Sequence, residues 1–272
     1  MLVGNDISFA QGAIVWSTYK DNTTFIIAKA TEGVGYIDAQ YGNNRKQARE
    51  YGVPFGSYHF ARPDLGNSPQ AEAEWFCKVI DGDPIREGEL LFLDFEVNYS
   101  GNIVEWCKQW LDEVSNHFNT KPLIYLNQSL TKGLDWVPVI NAGYGLWLAS
   151  YNPDGQGDTG QWPFMAFQQT SSNQTVPGIS TAVDRDVFFG DLEALLKYGY
   201  KALAPVMPPL VNPTPPAETT SEVVQNNPEP QPEQPAQTGD TPPVPADNAP
   251  TILKLNWLEK LIHKIFSWLM NK

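Results

Sequence analysis

The sequence predicts an α/β fold over about residues 1–200, in the form of an irregular β/α barrel of the TIM-like type. About eight short apolar runs recur along this part of the chain, and segments with helical spacing separate the earlier runs. Strands that alternate with helices in this way are typical of a β/α barrel. The segments between the later runs resemble loops, so we expect an irregular barrel rather than a regular eightfold one.

Each element is predicted from the spacing of its apolar residues. Short runs of apolar, β-branched or aromatic residues predict strands, and apolar residues three or four positions apart predict helices. Residues 152–162 are rich in Gly, Asp and Gln, and we expect a loop there. The predicted strands are Leu2–Ile7, Thr24–Ala30, Pro54–Phe60, Leu90–Glu96, Pro122–Leu126, Leu146–Ser150, Met165–Gln169 and Ala182–Val187. The predicted helices are Ala39–Tyr51, Pro69–Ile80, Ile103–Phe118 and Gly190–Leu196.

Two carboxylic acids, Asp94 and Glu96, close the fourth predicted strand. Side chains alternate between the faces of a strand, so both carboxyl groups point the same way, roughly 7 Å apart. Two like charges beside apolar residues are costly, so we expect one carboxyl group to keep its proton near neutral pH while the other ionises. General acid and base catalysis on a glycosidic bond requires this division of roles.

Polar and aromatic residues close most of the other predicted strands. In β/α barrels the carboxyl ends of the strands form one face, which holds the active site. These residues would converge there into an acidic cleft walled with aromatic rings, which suits a polysaccharide better than a phosphate ligand. The acidic candidates are Asp6, Asp184 and Asp186, and the candidate sugar contacts are Glu32, Tyr58, Tyr125, Trp147 and Gln168.

Five short segments occur in an order and spacing that resemble those of a known family. The segments are Gly4-Asn5-Asp6-Ile7-Ser8, Ala28-Lys29-Ala30-Thr31-Glu32-Gly33, Gly56-Ser57-Tyr58-His59-Phe60, Leu93-Asp94-Phe95-Glu96 and Val183-Asp184-Arg185-Asp186. The family they resemble is the Chalaropsis-type muramidases, glycoside hydrolase family 25, and the resemblance covers about residues 2–197. That family occurs among bacterial autolysins and phage endolysins, and we expect a phage endolysin.

The resemblance implies an irregular barrel that cleaves the β-1,4 bond from N-acetylmuramic acid to N-acetylglucosamine in peptidoglycan glycan strands. It places the general acid on Glu96 and the neighbouring carboxylate on Asp94, with Asp6 and Asp184 completing an acidic cluster. It implies no metal or organic cofactor. Inverting, retaining and substrate-assisted hydrolysis stay open, the last with Asp94 orienting the N-acetyl group of the substrate.

The candidate residues also have structural alternatives. The alternative for Glu96 is an ion pair with Lys29 or an arginine at the barrel mouth. Helix caps, salt bridges and solvated turns or loops are the alternatives for the other carboxylates, and barrel packing is the alternative for the aromatic residues. His59 follows Tyr58, so alternation points it away from the cleft and predicts a buried histidine between strand and helix.

A proline-rich stretch follows the predicted barrel. Fourteen of the 23 prolines lie between Pro205 and Pro250, and no aromatic residue occurs between Tyr200 and Trp257. Such a segment buries too little apolar surface to offset the entropy lost on ordering it. We therefore expect a disordered or polyproline-like linker over residues 201–250.

A cationic segment, residues 251–272, follows the linker. Asn256 and Glu259 match a capping box, and apolar residues recur at the i, i+3, i+4 and i+7 spacing of an amphipathic helix. A helix of this length, about 21 Å, is too short to span a membrane, so we expect it to lie in the interface and bind anionic lipid. Docking on the barrel and self-association are the alternatives. The predicted membrane-binding residues are Trp257, Lys260, Lys264 and Trp268.

Composition argues against several other functions. The formal net charge of −13 argues against a nucleic-acid-binding surface. Two cysteines, Cys77 and Cys107, and three scattered histidines lack the spacing of a zinc site, so we expect buried thiols and no metal. We expect a monomer.

The first residues of the sequence show neither a basic nor an apolar signal region. We therefore expect the protein to be made in the cytoplasm and to act on the cell wall after release, through a holin or the tail.

The sequence therefore predicts a peptidoglycan hydrolase with a membrane-binding tail and a role in host-cell lysis. Two alternatives stay open. A catalytically inactive barrel would bind wall glycans without cleaving them, and a membrane-lytic tail would use the barrel only as its carrier. A reducing-end glucosamine among the products would indicate a glucosaminidase.

Overall fold

The computed structural model describes residues 1–202, in which eight strands close into a barrel with helices around it. This arrangement confirms the irregular β/α barrel predicted for this part of the chain. The strands are β1 Leu2–Ile7, β2 Ile26–Glu32, β3 Tyr36–Ile37, β4 Phe55–Phe60, β5 Leu90–Asp94, β6 Leu123–Asn127, β7 Gly145–Ala149, β8 Phe167–Gln174 and β9 Val183–Phe188. The helices are α1 Trp16–Tyr19, α2 Tyr41–Tyr51, α3 Pro69–Asp81, α4 Ile103–Phe118, α5 Gln128–Gly133, α6 Val137–Asn141 and α7 Leu192–Lys197.

The barrel is irregular because its last strand is reversed. Strands β1, β2, β4, β5, β6, β7 and β8 pair in parallel in this order, and β9 lies antiparallel between β8 and β1. Strand β3 lies outside the ring and pairs antiparallel with the end of β2. Because β9 runs against its neighbours, its first residues lie at the face where the parallel strands end. Asp184, the second residue of β9, therefore reaches the same face as the end of β1.

Local sequence signals set the ends of α4, the longest helix of the described residues. At its start, the side chain of Asn102 accepts a hydrogen bond from the amide of Glu105 (3.2 Å). At its end, Asn119 adopts the left-handed conformation (φ 49°), which Asn tolerates better than most residues. The buried face of α4 includes Trp106 and Trp110, and this face fixes the helix against α3 and the barrel wall.

The hydrophobic core has two layers, one between strands and helices and one inside the barrel. The inner layer includes the rings of Phe25 and Phe92, and two glycines make room for them. A Cβ atom at Gly4 would lie 2.6 Å from the ring of Phe25, and a Cβ atom at Gly56 would lie 2.6 Å from the ring of Phe92. These distances are shorter than real Cβ contacts, so only glycine fits both positions without a shift of its neighbours.

His59 is buried between strand and helix, which confirms the prediction from alternation along β4. Its exposed fraction is 0%, and its Nε2 atom lies 2.7 Å from a carboxylate oxygen of Glu72 on α3. Its Nδ1 atom lies 2.7 Å from the hydroxyl of Thr31 on β2, and its ring stacks on Trp110 at 5.3 Å. Burial lowers the pKa of His59, although the Glu72 carboxylate opposes this shift. The histidine therefore connects two strands to the helix layer.

The observed elements agree closely with the predicted ones, with a few differences. The pattern missed α1, β3, α5 and α6, which are all short. Strand β5 ends at Asp94, so the prediction that it continues to Glu96 is wrong. Strand β8 continues to Gln174 because it pairs with β9 through two register shifts, so the predicted end at Gln169 is wrong. Residues 152–162 form turns and loop, as predicted.

The two cysteines are buried free thiols, as predicted. Within residues 1–202, no helix is long and apolar enough to cross a membrane. The predicted linker beyond residue 202 and the predicted amphipathic helix over residues 251–272 lie outside the described residues.

Candidate active site

Four carboxylic acids from distant parts of the chain meet at the carboxyl-end face of the barrel. Asp6 lies near the end of β1, Asp94 ends β5, Glu96 follows it, and Asp184 lies near the start of β9. Burial and then the charge of Asp184 raise the pKa of Asp6. Burial and then the charge of Glu96 raise the pKa of Asp94, to which Asp184 also contributes. The structure therefore brings the four predicted catalytic positions into one cleft.

The four acids lie at different depths. Asp6 and Asp94 are each 8% exposed and form the floor of the cleft, whereas Asp184 is half-buried and Glu96 is exposed at its mouth. One oxygen of Asp94 is buried and receives no hydrogen bond from residues 1–202. Burial and the charge of Glu96 therefore raise the pKa of Asp94 with no donor on this oxygen to offset them, and the nearby charge of Lys29 is what opposes the shift.

Tyr58 on β4 and Tyr125 on β6 lie on the floor between these acids. Burial is the main cause that raises the pKa of both phenols well above the usual range, and the nearby carboxylates raise it further. Both hydroxyl groups therefore stay protonated and keep a hydrogen to donate. Only 8% of Tyr58 and 7% of Tyr125 is exposed, which leaves no free ring face for a sugar to stack on. Substrate binding by Tyr58 and Tyr125 stays a prediction.

Gln169 on β8 connects Asp6 to two tyrosines. Its Nε2 atom donates to Oδ2 of Asp6 (2.8 Å), and its Oε1 atom accepts from the hydroxyls of Tyr125 (3.0 Å) and Tyr151 (3.2 Å). Tyr151 lies on the loop after β7, is 60% exposed, and lies close enough to the acids for Asp184, Asp6 and Glu96 to raise its pKa, after burial, to about 12. The exposed ring of Tyr151 therefore lies at the cleft, with a face open to solvent, and it is not among the predicted sugar contacts.

Asp186 lies beside Asp6 and is 0% exposed. Its Oδ1 atom accepts a hydrogen bond from Nε1 of Trp147 (2.9 Å), and its backbone lies opposite Gly4 of β1. Burial and then the charge of Asp184 raise the pKa of Asp186 to about 8. The solvated-loop alternative for this residue is wrong, because the side chain points into the barrel.

Two predicted sugar contacts do not face the cleft. Trp147 is 2% exposed and packs inside the barrel against Phe92, with ring centroids 5.3 Å apart. Gln168 is 0% exposed and points out of the barrel, where its amide makes hydrogen bonds to the backbone of the 150–156 loop. The structure therefore corrects both placements. Trp147 is covered inside the barrel, and alternation along β8 turns Gln169 inward and Gln168 outward.

Glu32 lies at the rim, where two cations hold it in ion pairs. Its carboxylate lies 2.5 Å from Nζ of Lys29 and 2.8 Å from Nη1 of Arg62. Burial favours a higher pKa for Glu32, but these two charges outweigh burial and hold the pKa below its usual value. Lys29 is itself buried, lies 4.5 Å from the centre of the Phe60 ring, and lowers the pKa of Asp94 against the effect of burial. The solvated-turn alternative for Glu32 is therefore wrong, and the ion pairs position Lys29 beside the cleft.

The cleft combines carboxyl groups of unequal burial with phenol and amide donors, at the active-site face of a β/α barrel. Such groups can transfer a proton to a glycosidic oxygen and stabilise the positive charge that develops on the sugar. The fold and the site together are those of a carboxylate-based glycoside hydrolase.

The family model described as "Glycosyl hydrolases family 25" matches residues 5–179. The chain belongs to this family and is a glycoside hydrolase. The resemblance noted in the sequence is thereby confirmed.

Several known proteins are similar to the barrel. Lysozyme M1 of Streptomyces globisporus is 29% identical over 211 residues, which cover 71% of this chain and 69% of that protein. The crystal structure of the lysozyme from Streptomyces coelicolor is 28% identical, covers 73% of this chain and 96% of its own, and superposes with a TM-score of 0.64. The CTP1L endolysin structure is also 28% identical and covers 72% of this chain and 70% of its own, with a TM-score of 0.62.

Proposed function

We propose that this protein hydrolyses the β-1,4 bond between N-acetylmuramic acid and N-acetylglucosamine in bacterial peptidoglycan. The observation that carries the proposal is the convergence of four acids, Asp6, Asp94, Glu96 and Asp184, on one cleft. The similar proteins named above are lysozymes and an endolysin, which supports peptidoglycan as the substrate.

Glu96 is the general acid in this proposal. It is exposed at the mouth of the cleft, where its carboxyl group can reach the glycosidic oxygen, and it lies close enough to the buried Asp94 for its charge to raise the pKa of that residue. The proton passes from Glu96 to the leaving oxygen as the bond between that oxygen and the anomeric carbon breaks. Glu96, now a carboxylate, then takes a proton from the water that attacks the anomeric carbon.

Asp94 orients the N-acetyl group of the muramic acid residue. The carbonyl oxygen of that group attacks the anomeric carbon, and Asp94 accepts a hydrogen bond from its N–H, which stabilises the positive charge of the cyclic intermediate. Water opens this ring to give a muramic acid with a free reducing end. The positive charge of Lys29 favours the ionised Asp94 that this step requires.

Clearing of purified peptidoglycan by Glu96→Gln, compared with the parent protein, tests the proposal. We expect at least about a hundredfold loss of clearing rate, because an amide cannot donate the required proton. Glu87→Gln is the matched control, since Glu87 is exposed before β5, at the opposite end of that strand, and its replacement should leave the rate unchanged. Equal clearing by Glu96→Gln and the parent would remove Glu96 from the mechanism. A parent protein that sediments with the walls but releases no soluble fragments supports the inactive-barrel alternative.

We propose that residues 251–272 bind anionic membranes. The apolar and cationic residues of this segment alternate at helical spacing in the sequence, and two lysines lie on the predicted polar face. Co-sedimentation with phosphatidylglycerol-containing vesicles measures the affinity of the full chain for anionic lipid. We expect this affinity to fall about thirtyfold or more in K260E/K264E, because each lysine contributes about 1 kcal/mol near such a surface. K46E/K197E reverses two exposed charges on the barrel and is the matched control. Equal binding by both double variants contradicts the proposal.

We propose a role in host-cell lysis, in which the protein is made in the cytoplasm and reaches the wall after release. The similarity to an endolysin supports this role. Expression of the full chain in bacteria, with and without a co-expressed holin, separates the two routes of release. Lysis that occurs only with the holin indicates holin-dependent release. Lysis that occurs without the holin, and that K260E/K264E abolishes, indicates release through the C-terminal segment. A protein that clears purified walls but lyses neither culture contradicts the role.

A further inference from the structure

We propose that Asp6 and Asp186 share one proton, and that this pair, with Asp186 as a positioning residue, sets the charge at the floor of the cleft. The inference rests on the proposed function for its effect on activity. The existence of the shared proton does not depend on that function, so it can be tested separately.

The geometry requires a proton between the two side chains. Oδ1 of Asp186 accepts a hydrogen bond from Trp147, and the backbone N–H of Asp6 also lies near this carboxyl group, but within residues 1–202 no donor makes a well-formed hydrogen bond to the buried Oδ2. On the other side, Oδ2 of Asp6 accepts from Gln169, and the carboxyl groups of Asp6 and Asp186 lie within hydrogen-bonding reach of each other. Two carboxylates cannot hydrogen-bond, whereas a carboxylic acid donates to a carboxylate. One proton therefore gives the buried oxygen a partner and removes the repulsion.

The surroundings keep this proton in place at neutral pH. Burial and then the charge of Asp184 raise the pKa of both members of the pair, and the pKa of Asp186 rises to about 8. Gln169 and Trp147, which donate to the pair from β8 and β7, carry no charge. The titratable and charged groups that face the pair are Asp184 and Arg185 on β9, Tyr58 on β4, Tyr125 on β6, Tyr151 on the loop after β7 and Tyr19 on α1.

The shared proton has a consequence for catalysis. With the proton present, Asp6 keeps one negative charge and a fixed orientation, held by Gln169 on one side and Asp186 on the other. When the proton leaves at alkaline pH, two adjacent buried carboxylates repel each other beside Asp184. The floor of the cleft then loses its geometry, so activity should fall as the pH rises through the range near 8.

Two substitutions at Asp186 test this role. Asp186→Asn keeps the shape and carries a permanent N–H donor toward Asp6, so we expect a rate within about twofold of the parent at pH 6 and an alkaline limb of the kcat profile displaced upward by about one pH unit or more. Asp186→Leu carries no donor, so we expect a loss of at least about tenfold in kcat across the profile. Asp21→Asn is the matched control, because Asp21 is exposed, pairs with Lys20 and lies before β2, at the opposite end of that strand from the cleft, and its alkaline limb should coincide with the parent's.

Thermal unfolding measures the proton without reference to activity. Since the folded-state pKa of Asp186 is raised, its contribution to stability is present at low pH and is lost as the pH rises through about 8. The melting temperature of the parent should therefore fall more between pH 5 and pH 9 than that of Asp186→Asn. If the alkaline limb and the pH-dependent melting of Asp186→Asn both match those of the parent, the proposal that Asp6 and Asp186 share a proton is overturned. A parent that is inactive on peptidoglycan, with melting curves as expected, overturns the proposed function but not the proton.

Discussion

Replacement of Gln169 by leucine should destabilise the barrel, because this amide connects one carboxylate to two tyrosines. Gln169→Leu removes the donor to Asp6, a hydrogen bond to a charged group that contributes roughly 1.5 to 3 kcal/mol. It also leaves the buried hydroxyl of Tyr125 without its acceptor, which costs roughly 1 to 3 kcal/mol, whereas the exposed Tyr151 can turn to water. The sum is a loss of roughly 2.5 to 6 kcal/mol in the free energy of unfolding.

Urea unfolding at pH 6, followed by tryptophan fluorescence, measures this loss for the full chain. Gln169→Glu provides a second test, because it keeps the acceptor for the tyrosines but places a carboxyl group against Asp6. Its folded-state pKa should be raised by burial and by Asp6, so its stability should be closest to the parent at low pH and fall as the pH rises. Gln70→Leu, which breaks one partly buried hydrogen bond to Gln109 between α3 and α4, is the control and should cost less than about 1.5 kcal/mol. A Gln169→Leu protein within about 1 kcal/mol of the parent would refute the assignment of these hydrogen bonds.

Two further predictions concern the cation beside the cleft and the packing below it. Lys29→Met removes the charge that lowers the pKa of Asp94, so this pKa should rise. The acidic limb of the kcat/KM profile should then move to higher pH. An acidic limb that stays in place contradicts the role of Lys29. Gly56→Ala places a methyl group 2.6 Å from the ring of Phe92, so the free energy of unfolding, measured by urea unfolding, should fall by about 1 to 3 kcal/mol. Gly42→Ala is the control, because Gly42 lies on an open surface of α2 and its replacement by alanine should not be destabilising.

Most of the barrel could be predicted because its signals are local. Each parallel strand is a short apolar run bounded by turn residues, and the longest helix carries its own capping asparagine. The nearness of Asp94 and Glu96 could be predicted because they are two residues apart, although β5 ends at Asp94 and strand alternation does not extend to Glu96. The burial of His59 followed from the same rule.

The direction of β9 could not be predicted, because it depends on pairing with distant strands. The prediction placed Asp184 at the active-site face because it assumed that the residue lies where a parallel strand ends. It reaches that face instead because β9 is antiparallel and begins there. A local pattern contains no information about which way a strand runs beside its neighbours.

The choice between Gln168 and Gln169 was also beyond the sequence. The two residues are identical and adjacent, so a shift of one position in the phase of β8 exchanges the inward and outward side chain. The phase is set by the pairing of β8 with β7 and β9. Trp147 shows a related limit, since alternation correctly turns it inward but does not reveal that Tyr125 and Phe92 cover it.

Mass spectrometry of the fragments released from purified peptidoglycan tests the central claim most directly. We predict fragments with N-acetylmuramic acid at the reducing end from the parent and from Glu87→Gln, and none above background from Glu96→Gln. Fragments with N-acetylglucosamine at the reducing end would mean that the enzyme cuts the other glycosidic bond. Fragments released equally by Glu96→Gln would mean that the cluster of acids in the barrel cleft is not where the bond is broken.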